Sequence, residues 1–125
     1  MQTQTKIANF TDLMVWQIGH QVVLKIYQVT TKFPKEELFG LINQLRRAAV
    51  SITSNIAEGF CRSSARDKVY LYTIALGSLT EAQNQLIIAK DLDYLKVEVF
   101  LDINDQLVQI RKMIYGLMKS AESRS

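Results

Sequence analysis

One uninterrupted stretch constrains the fold more than any other: Gly40-Leu-Ile-Asn-Gln-Leu-Arg-Arg-Ala-Ala-Val-Ser-Ile-Thr-Ser-Asn-Ile-Ala-Glu-Gly59. Read as a helix, it carries two stripes. Leu38, Leu41, Leu45, Ala48, Ile52 and Ile56 recur at three- and four-residue steps and form an apolar face. Gln44, Arg47, Ser51, Asn55 and Glu58 recur at the same steps and form a polar face. At about 100° per residue the two lie roughly a quarter turn apart. A helix in a bundle needs only the first stripe. The second lines up amide, guanidinium, hydroxyl and carboxylate groups, which a merely solvated face does not require.

The rest of the chain supplies partners for the apolar stripe. With 125 residues, 48% of them hydrophobic, one Pro and five Gly, it has one domain's worth of sequence and few helix breakers. Thr11 reads as an N-cap, with Phe10 before it as a staple. The first helix then runs to about Lys32, with Leu13, Trp16, His20, Val23 and Tyr27 in one stripe and Val15, Gly19, Val22, Ile26 and Val29 in a second. Pro34 breaks it, and the second helix carries the opening stretch to about Phe60. Ser64-Ala-Arg-Asp67 resembles a capping box for a third helix ending near Lys90, whose face is Leu71, Ala75, Ser78, Leu79, Ala82, Leu86 and Ala89. Asp91–Leu95 reads as a loop. A fourth helix, about Val97 to Lys119, repeats Phe100, Ile103, Leu107, Ile110, Ile114 and Leu117 in an alternating seam. The expected architecture is all-α, an up-down-up-down antiparallel four-helix bundle over residues 11–119, with a flexible segment at 1–10 and a frayed tail at 120–125. The apolar arcs on the first and third helices are wider than one bundle buries, which points to a homo-oligomer.

Charge and chemistry exclude more than they assign. The net charge of +3 sits in the first half: residues 1–62 hold seven basic and four acidic side chains, residues 63–125 eight of each. This mild basicity permits nucleic-acid contact without requiring it. No apolar run approaches the roughly 20 residues of a membrane span, and the N-terminus has no apolar signal core, so the expectation is a cytoplasmic protein that does not engage a membrane. The single Cys61 leaves no internal disulfide and no all-Cys metal site. His20 is the only histidine, placed by its stripe in a core or interface. Trp16 and Tyr27 read as core by their spacing. No Gly-rich phosphate loop, His-x-x-x-His or Glu-x-x-His pattern is present, so the chain is expected to be no enzyme and to need no cofactor or metal.

Several segments occur in a telling order: Phe10-Thr-Asp-Leu-Met-Val-Trp16, Phe33-Pro34, Gly40-Leu41, Gln44-Leu-Arg-Arg-Ala-Ala-Val-Ser-Ile52, Ser54-Asn-Ile-Ala-Glu-Gly59 and Ala75-Leu-Gly-Ser-Leu-Thr-Glu81. Over roughly residues 10–118 the chain resembles the bacterial four-helix-bundle family encoded by intervening sequences in 23S ribosomal RNA genes. It also resembles the accessory protein of diversity-generating retroelements. The run from Gln44 to Gly59 is the specific part of the match. Thr53 departs from it, because the family often has Pro there, so a kink at that point is not implied. The resemblance implies a bundle assembled as a ring-like homopentamer with no established catalytic activity. The retroelement relatives are basic and work with a reverse transcriptase and nucleic acid.

Three readings of the polar stripe remain open. In the first, Gln44, Arg47, Ser51, Asn55 and Glu58 form an oligomer interface, with Arg47 pairing to a carboxylate such as Glu58 or Glu81 across subunits. In the second, Arg46, Arg47, Arg62, Arg66 and Lys68 form a basic surface for RNA or an RNA-bound protein. In the third, the stripe is a solvated face or meets an unknown ligand. The expectation is a cytoplasmic scaffold or adaptor whose first partner is a further copy of itself, with RNA binding as the alternative.

Overall fold

A computed structural model describes residues 6–124, which contain helices and no strand. Asn9, not Thr11, opens the helical part of the chain. Its side chain accepts from the Thr11 N–H at 2.8 Å, while Asp12 Oδ2 accepts from the Ala8 and Asn9 N–H groups at 2.9 and 3.1 Å. Those two donors hold the Asp12 carboxyl below its ordinary pKa. The reciprocal box needs an acidic side chain three residues after the cap, and Asp12 stands in that relation to Asn9. Three residues after Thr11 stands Met14, which cannot reach back. The box closes one tight turn, Phe10–Asp12, and Phe10 packs edge-on against Trp16 at 5.4 Å.

Helix α1, Met14–Thr30, buries Val15, Gly19, Val22, Ile26 and Thr30. The neighbouring stripe is only partly used: Leu13 is buried, Trp16 and Val23 are half-buried, and His20 and Tyr27 are exposed. The expected core placement of Tyr27 is therefore corrected, and of the two places expected for His20, core or interface, the core is excluded. Past Pro34 come a single turn, Lys35–Glu37, and a wide turn, Leu38–Ile42, whose backbone leaves helical geometry at Gly40 (φ −109°, ψ −111°). Helix α2, Asn43–Cys61, starts only there. The break rotates Leu38 out of the apolar face, so that it is 50% exposed, and leaves Phe39 89% exposed. Glu37 Oε1 accepts from the Leu41 N–H at 3.1 Å, and a Cβ at Gly40 would meet that oxygen at 2.9 Å. The irregularity in this region thus sits at Gly40, while Thr53 continues the helix with its hydroxyl bonded to the Val50 carbonyl at 3.1 Å.

Helix α3, Ala65–Asp91, begins at Ser64, whose side chain accepts from the Asp67 N–H at 3.1 Å. All seven expected face residues, Leu71 through Ala89, are buried, and Tyr72 and Gln85 join them. The connection to α4 has no glycine, but Asp93 takes the left-handed conformation (φ 62°) that a short polar side chain tolerates. Helix α4, Val97–Ser123, buries Phe100, Ile103, Leu107, Ile110 and Ile114, and half-buries Leu117. It continues past Lys119, so residues 120–123 are helical where fraying was expected. The flexible segment expected at 1–10 lies outside the described residues for 1–5, as does residue 125 of the tail.

Helix α2 packs on α1 and α3, and α4 packs on α3 and α1. In three of these pairs contacts rise in residue number on one helix as they fall on the other. Tyr27 meets Arg46 while Gly19 meets Thr53, and Gln44 meets Gln85, Ser51 meets Ser78 and Gly59 meets Tyr72. Lys25 meets Asp102 and Gln21 meets Gln106 on the α1–α4 side. The centre of the four is one apolar core. Two glycines that look alike in sequence differ sharply in their surroundings. A Cβ on Gly59 would meet the Tyr72 ring at 2.5 Å, whereas one on Gly77 would meet nothing within 4 Å. Gly59→Ala is expected to lower unfolding free energy by about 1–3 kcal/mol through overpacking. Gly77→Ala is expected to raise it by about 0.5–1 kcal/mol, because alanine restricts the unfolded chain and suits a helix interior. Urea titrations of both variants check this; equal effects of the same sign would contradict the packing.

Candidate functional site

The polar stripe of α2 faces α3. Ser51 and Ser78 share a hydrogen bond at 2.7 Å between their hydroxyls, and Asn55 Nδ2 donates to the Ser51 carbonyl at 2.8 Å and to its hydroxyl at 3.1 Å. Gln85 Nε2 reaches Gln44 Oε1 at 3.5 Å and Glu81 Oε2 at 3.4 Å. Ser51 and Asn55 are half-buried, Ser78 and Gln85 buried. The seam can accommodate polar groups because small residues flank it. Ala48 and Ala49 of α2 and Ala75, Ala82 and Ala89 of α3 are buried and let the backbones approach. The two serines then satisfy each other within that narrow space.

The five stripe residues therefore divide. Gln44, Ser51 and Asn55 bond within the chain. Arg47 is exposed, with no ion pair or hydrogen bond to the described residues. Glu58 is exposed and pairs with Arg62 at 3.7 Å, one turn on. Helical spacing puts Arg47 and Ser54 of α2 and Ile74, Glu81 and Ile88 of α3 on the outer side of the seam, next to Ser51, Ser78 and Gln85. Sequence reasoning missed this lip, and the signal was the seven-residue repeat of 74, 81 and 88 beside 71, 78 and 85.

The five basic residues also separate. Arg46 lies against α1, donating from Nε to Thr30 Oγ1 at 2.9 Å and from Nη2 to the Tyr27 carbonyl at 3.3 Å, with its guanidinium 4.6 Å from the centre of the Tyr27 ring. Arg62, Arg66 and Lys68 lie at the other end of α2, about 24 Å along the axis at 1.5 Å per residue. Lys68 Nζ donates to the Gly59 and Phe60 carbonyls at 3.2 and 2.7 Å and so caps the C-terminus of α2. Arg66 is exposed and makes no ion pair with the described residues.

Other candidate groups stand apart. His20 stacks on Trp16 with ring centres 4.9 Å apart, and Cys61 is exposed. Among the described residues no cluster of three His, Cys, Asp or Glu side chains could hold a metal ion, and no helix is long and apolar enough to cross a membrane. Burial pushes the Tyr72 phenol above its ordinary pKa, with the neighbouring Cys61 thiol adding to the shift.

Fold and seam together define an all-α, four-helix protein. The pattern of the 23S rRNA-intervening sequence protein family matches residues 11–116, and the chain belongs to that family. Its fold is also that of a solved structure described as a protein with unknown function from the S23 ribosomal protein family of Bacteroides thetaiotaomicron. The likeness covers 85% of this chain and 99% of that one, with a TM-score of 0.76 and 23% identity. No curated protein matches the chain.

One seam atom is out of balance. Gln85 Oε1 is buried and has no partner among the described residues. A buried, unpaired carbonyl costs about 1–3 kcal/mol, while the long bonds made by Gln85 Nε2 return little. Gln85→Leu is expected to leave stability unchanged or raise it by about 1 kcal/mol. Thermal melts decide: a loss larger than that would show that the Gln85 amide is fully satisfied.

Proposed function

We propose that this protein is a non-catalytic, cytoplasmic scaffold or adaptor: an up-down-up-down antiparallel bundle that assembles with copies of itself, as a pentamer on the family resemblance. The observation that carries the reading is the lip beside the α2–α3 seam. Ile74 and Ile88 are exposed there at 37% and 41%, with Arg47 on the facing helix and Glu81 between the two isoleucines in helical order. Apolar side chains in contact with water favour burial against a partner. A lip holding one cation and one anion offers complementary groups when two copies meet in a head-to-tail ring. Tyr70 at 66% exposure extends the same side of α3.

Light scattering on purified protein tests this. The unaltered protein is expected to run as an oligomer. Ile74→Asp and Arg47→Ala are expected to lower its mass, and Asn55→Leu to change it by disturbing the seam that supports the lip. A mass unchanged by all three would remove the lip as an interface.

A second reading is RNA binding at one end of the bundle, favoured by the exposed Arg66 and by Arg62, whose one ion pair is a solvent-exposed contact with Glu58. Exposed pairs of this kind give way readily to phosphate. Gel shifts at low salt are expected to show RNA binding that salt weakens and that charge reversal at Arg62 and Arg66 abolishes. Binding indifferent to those two changes, or none at low salt, would eliminate this reading.

A further inference from the structure

A concavity opens at the end of the bundle, where α2 and α4 finish and α3 begins. It encloses about 840 Å³. Leu13, Phe60 and Leu117 supply much of its apolar wall. Lys68, Arg124 and the hydroxyl side chains of Ser63 and Ser64 line it as well, and no acidic side chain does. Lys68 and Arg124 make no ion pair with the described residues. Two of the three Lys68 donors go to the Gly59 and Phe60 carbonyls, which leaves one uncommitted.

Tyr72 carries the argument further. The residue is 2% exposed, and it forms part of the cavity wall. Its ring packs on Gly59. Its hydroxyl makes no hydrogen bond to the described residues and is not among the buried unpaired atoms, so it stays open to solvent. The cavity also borders the first turn of α3 at Ala65, where backbone N–H groups lack intrahelical acceptors and the dipole favours negative charge. Apolar walls, positive groups without carboxylate partners and an unused phenol donor share one chemical complement.

We propose that this cavity binds a small amphipathic carboxylate. Its apolar body lies against Leu13, Phe60 and Leu117. Its carboxylate accepts from the Tyr72 hydroxyl and is balanced by Lys68 and Arg124. The size falls within the usual range of small-molecule sites, about 300–1,000 Å³. None of the residues invoked for self-assembly takes part, so the two readings stand or fall separately.

Sodium decanoate serves as the probe, titrated into the ¹⁵N-labelled full chain and followed by two-dimensional NMR. Saturable shifts are expected at residues lining the cavity, with decanol and inorganic phosphate each weaker by about tenfold, because each supplies only half of the recognised chemistry. Tyr72→Phe keeps the ring on Gly59 and removes only the hydroxyl; it is expected to weaken binding roughly three- to tenfold, the factor for one hydrogen bond. Arg124→Glu, on an exposed side chain, is expected to weaken it at least as much while leaving the rest of the spectrum in place. The proposal is overturned if decanoate gives no saturable shifts, if decanol matches it, or if both variants bind as the unaltered protein does. Salt-sensitive shifts at the same residues with a short single-stranded RNA, and none with decanoate, would also overturn it and make this end a phosphate site.

Discussion

The close approach of α2 and α3 is the constraint on which the rest of the structure depends. A ring crowds a glycine where Tyr72 meets Gly59, and two hydroxyls meet at 2.7 Å where Ser51 faces Ser78. Neither contact survives a bulkier residue on one side. Buried alanines flank these contacts, Ala48 and Ala49 on α2 and Ala75, Ala82 and Ala89 on α3, so dispersion between closely spaced backbones and short side chains replaces the interlocking of large ones. The large residues are pushed to the centre of the bundle, where Ile52 and Ile56 of α2, Leu79 and Leu86 of α3 and the Ile103–Ile114 row of α4 are fully buried. The seam thus sets the separation at which the apolar core must be filled.

The polar groups in that seam add register rather than much stability. Sliding α3 by one turn so that Ala75 comes opposite Ser51 would set Ser78 against Ala48. The buried Ser78 hydroxyl would then lack a partner, at about 1–3 kcal/mol, while the half-buried Ser51 would keep only Asn55. A seam of alanines alone would tolerate the slide, since their side chains are interchangeable. Asn55 reinforces the arrangement by bonding the Ser51 hydroxyl from its own helix, which holds that oxygen toward α3. Gln85 is the flaw: it supplies two long bonds and leaves its carbonyl unpaired.

Helix number, order and most of the core were legible in the sequence, because three-to-four spacing of apolar residues depends only on helix geometry. The face of α3 and the row of α4 from Phe100 to Ile114 were read residue for residue. What spacing could not show was where a stripe stops being covered. Leu38 continues the α2 pattern on paper, but the break at Gly40 lies between it and the helix, so it turns outward. Tyr27 and His20 fit a stripe on α1 that only half faces its neighbours. The cap at Asn9 was missed because Thr11 is the better-known capping type, while the deciding partner, Asp12, is spaced for Asn9. Of the polar stripe, Gln44 and Ser51 bond across to α3, while Arg47 and Glu58 are exposed. Those α3 partners lie 27 and 41 residues away on another helix, a distance that no local pattern encodes.

That division of the stripe narrows what the proposed self-assembly could use. Gln44, Ser51 and Asn55 are committed to the seam, and drawing them to a second copy would leave Ser78 unpaired and Gln85 with Glu81 alone in the chain they came from. A contact between copies must then work with the exposed remainder: Arg47, Glu58 and Glu81 as charged groups, and Ile74 and Ile88 as apolar ones. Of the acids, Glu58 already has Arg62 one turn away, so Glu81 is the less committed partner for Arg47 of another copy, held back only by a 3.4 Å contact with Gln85. An Arg47–Glu81 contact flanked by isoleucines would be desolvated on both sides, which strengthens the attraction and makes loss of either partner costly. The same seam that orders the bundle would thereby decide which surface is left for the next subunit.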